Sequence, residues 1–511
     1  MGTRASARLS SAGIGVAPAR GAARRRSWTR PGHKEVVIAL TLLGGALRFA
    51  TLNVSSLDLD ESATVILVGR GFSGMLSHLV SSESAPPLYY ILVWAWTKVF
   101  GAGAIGFRSF SALVGTLTIP VMYLAGRHIS VRIGVWTAIL TTVSPSMYLF
   151  SQEARCYALL LLFSAAAFVY WQRALEDPSR RHLALWSGMS ILALLSHYFA
   201  VFLFIPEAIV LAARLGWRRI WAAAGAVVLV GLALVPLAAA QRADGKTNWI
   251  EDISLSGRIG ESAKMFTVGA YGPVVLYALL IAVLIVAGAV ALVWRYGDGR
   301  ERTGAAYAAI IGVSAVGLPL ALALTHLIDV YDGRNVIAFW IPFAVLVAAG
   351  FGTARAPRAG ALLGGALCAI SLAMIAAANL VGDYQRNDWR GVGHALGRSS
   401  GARVIVGELH AAGPLSIYMG PVSSIPARVP AVREVDFFAF RHLRTVGPPE
   451  AAVVPTSPPP GFSPAGVTRR ETFAISRFVA PTPTALGRGA LISLSANPKI
   501  GSTTAEIMLQ S

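Results

Sequence analysis

The stretch PLYYILVWAWTKVFG, residues 87–101, decides how this chain is threaded. It is apolar, but short beside the roughly 20 residues that a bilayer-crossing helix needs. It follows directly on Pro86, and its Tyr89, Tyr90, Trp94 and Trp96 are of the types that collect at membrane–water boundaries. Counted as a crossing, it sends the basic set Arg127, His128 and Arg132 to the outside. Left out, it lets every later basic loop fall inside, as the positive-inside bias demands. It reads as an interfacial or re-entrant helix whose aromatic residues need no substrate to explain them.

The composition agrees with a membrane setting. With 55% hydrophobic and 14% charged residues and a mean hydropathy of +0.60, the chain is too apolar for an ordinary soluble enzyme. Its apolar segments recur about every 25 to 35 residues. In lipid the backbone must satisfy its own hydrogen bonds, so they are expected to be helices. The net charge of +19 could point to nucleic acid. The Arg clusters fall between apolar segments, however, so orientation in a bilayer explains them, and no nucleic-acid partner is expected. Cys156 and Cys368 lie in or beside predicted helices and suggest neither a disulfide framework nor a zinc site. Residues 1–34, rich in Arg, Ala, Gly and Ser, read as a disordered basic cytoplasmic arm suited to lipid phosphates. They lack the apolar core of a cleaved signal peptide.

Working outward from 87–101, the spans are expected at 35–51, 106–126, 133–150, 157–172, 183–196, 199–213, 220–240, 271–294, 305–325, 336–352 and 360–380, roughly eleven crossings. This makes residues 35–382 a transmembrane domain, with an outer loop and interfacial helix at 52–105. Residues 383–511 change character: short apolar pieces such as VIVG (404–407) alternate with Pro-rich turns such as TSPPPG (456–461). They read as a small extracytoplasmic α/β domain with a loose tail. No repeat of fixed period is present.

The threading gathers one set of loops outside. LDLDES (57–62), SQEARCY (151–157), HYF (197–199) and DVYDGR (329–334) all emerge there. The outer face thus gains Asp58, Asp60, Glu61, Glu153, Arg155, Tyr157, His197, Tyr198, Asp332 and Arg334. Ionisable groups of both signs at a membrane edge are costly and mark a site. A carboxylate there can act as general base towards an attacking hydroxyl. Two or three carboxylates could instead share a divalent cation, Mg or Mn, with Asp60 and Glu153 as ligands. Arginine pairs with phosphate in bidentate fashion, and at the surface it can hold a phosphate whose lipid tail stays in the bilayer.

These residues form an ordered set: Asp60-Glu61 after the first span, Pro86-Pro87-Leu88-Tyr89-Tyr90, Arg108 opening a helix that ends Gly126-Arg127, Ser151 to Tyr157, and Ser196-His197-Tyr198-Phe199. The set resembles the GT-C membrane glycosyltransferases, specifically the bacterial family 39-like group related to protein O-mannosyltransferases and aminoarabinose transferases. The resemblance covers roughly residues 35–390 and is strongest before 210. It implies an all-α polytopic membrane protein of GT-C fold with a small α/β C-terminal domain, seated in the cytoplasmic membrane. It also implies a polyprenyl-phosphate sugar donor, a glycan, lipid or protein acceptor, an extracytoplasmic site and inversion at the anomeric carbon. Asp60 carries over as the base with Glu61 as its neighbour, and Glu153 as the acid that orients acceptor or metal. Arg155 and Arg334 would bind donor phosphate; Asn335 stands where the family often has Tyr. Asp58, Tyr157, His197 and Tyr198 would contact substrate.

Plainer readings stand beside these. Asp60 ahead of ESATVILVG fits a helix N-cap, Glu153 and Arg155 could form a helix-start ion pair, and Asp332 could pair with Arg334. A lipid or glycan transporter or flippase, or a non-catalytic envelope assembly protein, are the competing functions. A transporter calls for charges at mid-helix depth and paired half-repeats, whereas most charges here lie at helix ends.

Overall fold

The computed structural model describes residues 32–245, 248–270, 272–399, 401–425, 429–441, 451–495 and 505–510, with Asp383 as backbone only. The basic arm expected at 1–34 lies almost wholly outside the described residues. The chain opens with α1 (His33–Ala50), then three shorter helices, α2 (Leu59–Gly69), α3 (Gly71–Ser82) and α4 (Leu88–Phe100). The long α5 (Ala104–Arg127) leads to α6 (Val131–Val143) and α7 (Pro145–Ser151). Next come α8 (Tyr157–Glu176), α9 (Arg180–Ser196), α10 (Val201–Leu215) and α11 (Trp217–Ala243). The short α12 (Leu255–Thr267) precedes α13 (Val275–Tyr296), α14 (Gly299–Leu324), α15 (Trp340–Phe351) and α16 (Pro357–Leu380).

Every segment expected to cross is helical, but not all are full spans. Seven of the described helices are long and apolar enough to cross a bilayer: α5, α8, α10 with its preceding turn from Tyr198, α11, α13, α14 and α16. A count of about eleven exceeds this. The α6–α7 pair would be an eighth, and it bends by 57°. Pro145 at the start of α7 cannot donate to the preceding turn, and Ser144 caps the new helix. The apolar helix at Ile337–Phe351 is too short, as is the 17-residue α9, and α1 carries Lys34, Glu35 and Arg48. The chain is a multi-pass membrane protein by these helices.

The helix packing relies on small residues where backbones meet. A Cβ on Gly126 of α5 would stand 2.9 Å from Gly134 Cα of α6, so this crossing tolerates no side chain. The 13-residue α4 differs from a helix lying on the surface. Tyr89 and Tyr90 are each 1% exposed, packed in a cluster with Phe107, while Val99 and Phe100 remain exposed. Its aromatic residues thus serve the core at one end and are exposed at the other.

Residues beyond α16 form a separate layer on one end of the bundle. Helices α17 (Trp389–Leu396) and α18 (Ala412–Met419) pack on a six-stranded sheet, with α19 (Arg488–Ser495) later in the chain. The strands are β1 (Arg403–Gly407), β2 (Ser423–Ser424), β3 (Val432–Phe440), β4 (Ser463–Arg469), β5 (Phe473–Thr484) and β6 (Glu506–Gln510). Their order is β2-β6-β1-β3-β5-β4, with β1 and β3 parallel and the other pairs antiparallel. Strand alternation separates two cores: Ile405 joins Trp389, Leu415 and Phe440, whereas Val404 and Val406 join Phe437, Phe478 and Ile507.

This sheet layer is hydrogen-bonded to the α1–α2 loop. Leu57 N donates to Tyr418 Oη (2.7 Å), Ser56 Oγ donates to Asn387 O (2.8 Å), and Trp389 N donates to Ser56 Oγ (3.0 Å). From the bundle side Arg108 grips the same loop, donating to the carbonyls of Leu52, Ser55 and Ser56 at 2.8–2.9 Å. The loop that carries the acidic cluster is therefore fixed from both sides.

Candidate active site

The acidic cluster opens helix α2. Asp58, rather than Asp60, is its N-cap: Asp58 Oδ1 accepts from Leu59 N (2.8 Å), and Asp58 N donates to Glu61 Oε2 (3.1 Å). One turn of helix then sends Asp60 and Glu61 in different directions. Glu61 is fully buried and accepts from Arg108 Nε (2.7 Å), Arg108 Nη2 (2.5 Å) and Ala154 N (2.9 Å). Asp60 instead faces a large cavity with its carboxylate 42% exposed.

That cavity has a volume of about 720 Å³. Its polar end carries Asp60, Glu83, Arg155, Tyr157, His197, Tyr198 and Arg334. Its walls are apolar: Leu194 of α9, Phe202 and Ile205 of α10, Val228, Leu232 and Val235 of α11, Leu322 of α14. The α11 residues lining it run from Val227 to Arg242, about 22 Å of helix at 1.5 Å per residue. Val228, Leu232 and Val235 are also exposed, so the hollow opens sideways along a helix apolar enough to span the bilayer.

Within the polar end the charges pair across long sequence distances. Arg334 Nη1 lies 2.6 Å from Asp60 Oδ2 and 3.9 Å from Asp332 by its Nε, so Asp60 is its closer partner. The indole of Trp249 lies 5.3 Å from the Arg334 guanidinium. Arg155 Nη1 is salt-bridged to the buried Glu83, while Arg155 Nε is buried without a hydrogen-bond partner. Arg155 and Glu153 thus do not pair with one another. Glu153 turns to Arg386, Oε1 to Nη2 at 3.3 Å, and its buried Oε2 has no hydrogen-bond partner.

The electrostatics divide the carboxyls. Burial works against ionisation of Asp60, but Arg155, Arg334 and Arg386 outweigh it and hold the group below the usual carboxylate range. Burial pushes Glu83 and Glu153 upward, against the pull of Arg155 and Arg386 respectively. Burial, with Arg155 nearby, lowers the His197 imidazole to about 3, so it is neutral; its Nδ1 accepts from Phe199 N at 3.3 Å. Tyr198 Oη donates to Gln241 Oε1 (2.8 Å), and Gln241 Nε2 in turn reaches the carbonyl of Ala85 (3.2 Å). This ties α11 to the segment that carries Glu83.

Of the residues expected in the site, Asp60, Arg155, Tyr157, His197, Tyr198 and Arg334 meet at the cavity, whereas Asp58, Glu61 and Glu153 lie behind it. Among the described residues no three His, Cys, Asp or Glu side chains gather to hold a metal ion. Asp60 faces Arg334, and Glu153 faces Arg386. Glu83 and Arg386 enter the site without having been expected. Glu83 sits in the polar run SSESAPP, and its Pro86-Pro87 neighbours were the available signal.

Residues 84–240 match the family model described as dolichyl-phosphate-mannose-protein mannosyltransferase. The match takes in the Pro86–Tyr90, Ser151–Tyr157 and Ser196–Phe199 segments, and begins after Asp60. No curated protein matches the chain. Among solved structures, the chain is similar to ArnT from Cupriavidus metallidurans bound to undecaprenyl phosphate, at TM-score 0.44 and 16% identity over 65% of this chain and 62% of that one. It is also similar to the Archaeoglobus fulgidus oligosaccharyltransferase complex with Zn and sulfate, at 0.40 and 13% over 71% and 55%. For the S. cerevisiae Pmt1-Pmt2 protein O-mannosyltransferase complex bound to the sugar donor the values are 0.30 and 19% over 43% and 33%. The chain thus spans less than two thirds of each of these proteins.

Proposed function

We propose that this chain is a membrane glycosyltransferase that moves a sugar from a polyprenyl-phosphate donor to an acceptor hydroxyl or amine outside the cytoplasmic membrane. One observation carries the reading: a single cavity joins two carboxylates and two arginines at its head to an apolar trough along α10 and α11. A phosphate with a long isoprenoid tail has this same division of chemistry. The family-model match over residues 84–240 supports it.

In this mechanism the Asp60 carboxylate takes the proton of the acceptor. The freed lone pair attacks the anomeric carbon from the face opposite the phosphate, and the bond from that carbon to the phosphate oxygen breaks with inversion. Polyprenyl phosphate departs with the electron pair. Arg155 and Arg334 stabilise its growing negative charge, the kind of preorganised electrostatics that dominates many catalysed reactions. Glu153 lies buried behind Asp60 and acts on the reaction only through that carboxylate. The distribution of basic residues supports this sidedness. Arg127, Arg173, Arg218 and Arg300 lie at the helix ends remote from the cavity head, where Arg300 Nη2 reaches the His128 carbonyl. The positive-inside bias assigns that end to the cytoplasm.

The test is incubation of the full-length protein in lipid nanodiscs with radiolabelled polyprenyl-phosphate hexoses and an extract of envelope acceptors. Labelled acceptor and free polyprenyl phosphate should accumulate in equal amounts and disappear in Asp60→Asn. Movement of intact donor between leaflets with no bond cleaved would establish a flippase instead.

A further inference from the structure

The segment between α16 and α17 does more than connect two layers. It carries Arg386, whose side chain is 13% exposed and faces three carboxylates: Glu153 Oε1 at 3.3 Å, Glu61 Oε2 at 3.7 Å and Asp58 Oδ2 at 3.8 Å. These three are not equivalent. Glu61 is already met by Arg108 and two backbone amides, and Asp58 is engaged in capping α2. Glu153 has neither support. Among the described residues its ion pair is with Arg386, and its other oxygen is buried and unpartnered.

Arg386 owes its place to the outer domain. The next residue, Asn387, accepts from Ser56 through its carbonyl and donates through Nδ2 to Glu408 Oε2 at 3.2 Å. Two residues on, Trp389 is fully buried in the core of the sheet layer. Arg390 Nη2 donates to Asn53 Oδ1 at 2.9 Å. The guanidinium is thus carried to the carboxylates by a segment anchored both in the outer domain and on the α1–α2 loop.

We propose that Arg386 is a positioning residue of the reaction centre: it holds the Glu153 carboxyl group in place behind Asp60, and thereby makes the outer domain part of the catalytic unit. The inference rests on the glycosyl-transfer reading above for what that centre does. The charged groups around Glu153 are Asp60 and Glu61 from α2, Arg334 from the α14–α15 loop, Arg155 two residues along its own loop, and Arg386. Without Arg386 a buried acid stands beside two other carboxylates, a setting in which one of the group takes up a proton.

The experiment is an infrared pH titration of the full-length protein in nanodiscs, wild type against Arg386→Gln, run alongside the pH profile of sugar transfer. In Arg386→Gln the carboxylic-acid C=O band of Glu153, identified by its loss on adding Glu153→Gln, should titrate about one pH unit or more higher. The acid limb of transfer, set by Asp60, should rise as well, because Arg386 is one of the arginines that hold Asp60 down, while the dissociation constant for polyprenyl phosphate changes less than about twofold, since Arg386 does not line the cavity. Arg386→Lys, which keeps the charge, should restore most of both. If Arg386→Gln fails to fold, Ser56→Ala, which removes the linker's anchor, should move the same band in the same direction. A folded variant whose band and profile both stay in place overturns the proposal. The infrared measurement needs no turnover, so its outcome is independent of whether sugar transfer is found.

Discussion

Asp60 Oδ2 lies 2.6 Å from Arg334 Nη1, although 274 residues separate them. The two side chains are 42% and 38% exposed to the cavity, so the pair is partly solvated and holds only loosely by the standards of ion pairs. Arg334 is supported from elsewhere. Arg258 donates to both oxygens of Asp329, at 2.6 and 2.7 Å, and to the Tyr331 carbonyl, which pins the loop that delivers it. The proposed base and a proposed phosphate ligand thus neutralise one another. An entering phosphate offers Arg334 a bidentate partner and leaves Asp60 to the acceptor.

Asp60→Asn keeps the size of the side chain and removes its basicity. Transfer should fall by about 10²–10⁴-fold, the range that general-base catalysis supplies. Polyprenyl phosphate should bind at least as tightly as before, because Arg334 loses its competing carboxylate. Turnover and equilibrium binding measured on one preparation check both halves. Full activity in this variant rules out Asp60 as the base.

The same pair predicts a split in pH dependence. Free Asp60 is held below the ordinary carboxylate range because Arg155, Arg334 and Arg386 together overcome its burial. Donor phosphate neutralises Arg334 and adds negative charge nearby, so the Asp60 pKa must rise in the complex. Activity requires the ionised form and is lost as pH falls through the relevant pKa. The acid limb of kcat, which reports the complex, should therefore lie at higher pH than that of kcat/KM, which reports the free enzyme. Coincident limbs would show that Asp60 does not feel the donor.

Arg155 is predicted to act through its buried, unpartnered Nε, with Nη1 engaged by Glu83. Arg155→Lys keeps a charge but loses the fork geometry, so donor affinity should fall by about tenfold or more. Glu83→Gln should weaken donor binding too, by releasing Arg155 from its buried anchor, while leaving the pH limb set by Asp60 in place. Titration with polyprenyl phosphate measures both. Unchanged affinity in Arg155→Lys would place the phosphate elsewhere.

The threading and the cavity were legible to different degrees. The apolar segments announce their helices because lipid leaves the backbone no other solution, yet the charges on α1 and the bend at Pro145 prevent a simple count of spans. Asp60, Arg155 and Arg334 could be gathered from the sequence because alternate loops emerge on one side. Which of the neighbouring acids faces the cavity could not. That depends on the angular position of each residue on α2, where Asp58 starts the helix, Asp60 points to the hollow and Glu61 meets Arg108. Glu83 and Arg386 were hidden for a related reason: their partners, Arg155 and Glu153, are set by docking of distant segments, which leaves no local pattern.

Glu61 supplies the sharpest contrast with Asp60 one residue away. It is fully buried, accepts four hydrogen bonds, and pairs with Arg108, which in turn holds the carbonyls of Leu52, Ser55 and Ser56. Removing one partner of such a pair leaves the other charge buried without compensation, a loss of about 3–5 kcal/mol where it has been measured. Glu61→Gln should accordingly lower the midpoint of thermal unfolding in detergent, and activity should fall because the acidic loop loosens. The double variant Glu61→Gln with Arg108→Met removes both charges and should recover part of the stability, since an apolar pair of similar volume suits a buried position. Donor affinity in whatever fraction remains folded should match the wild type, because neither residue touches the cavity. A stable, folded Glu61→Gln protein that binds donor but transfers nothing would instead assign Glu61 to the chemistry alongside Asp60.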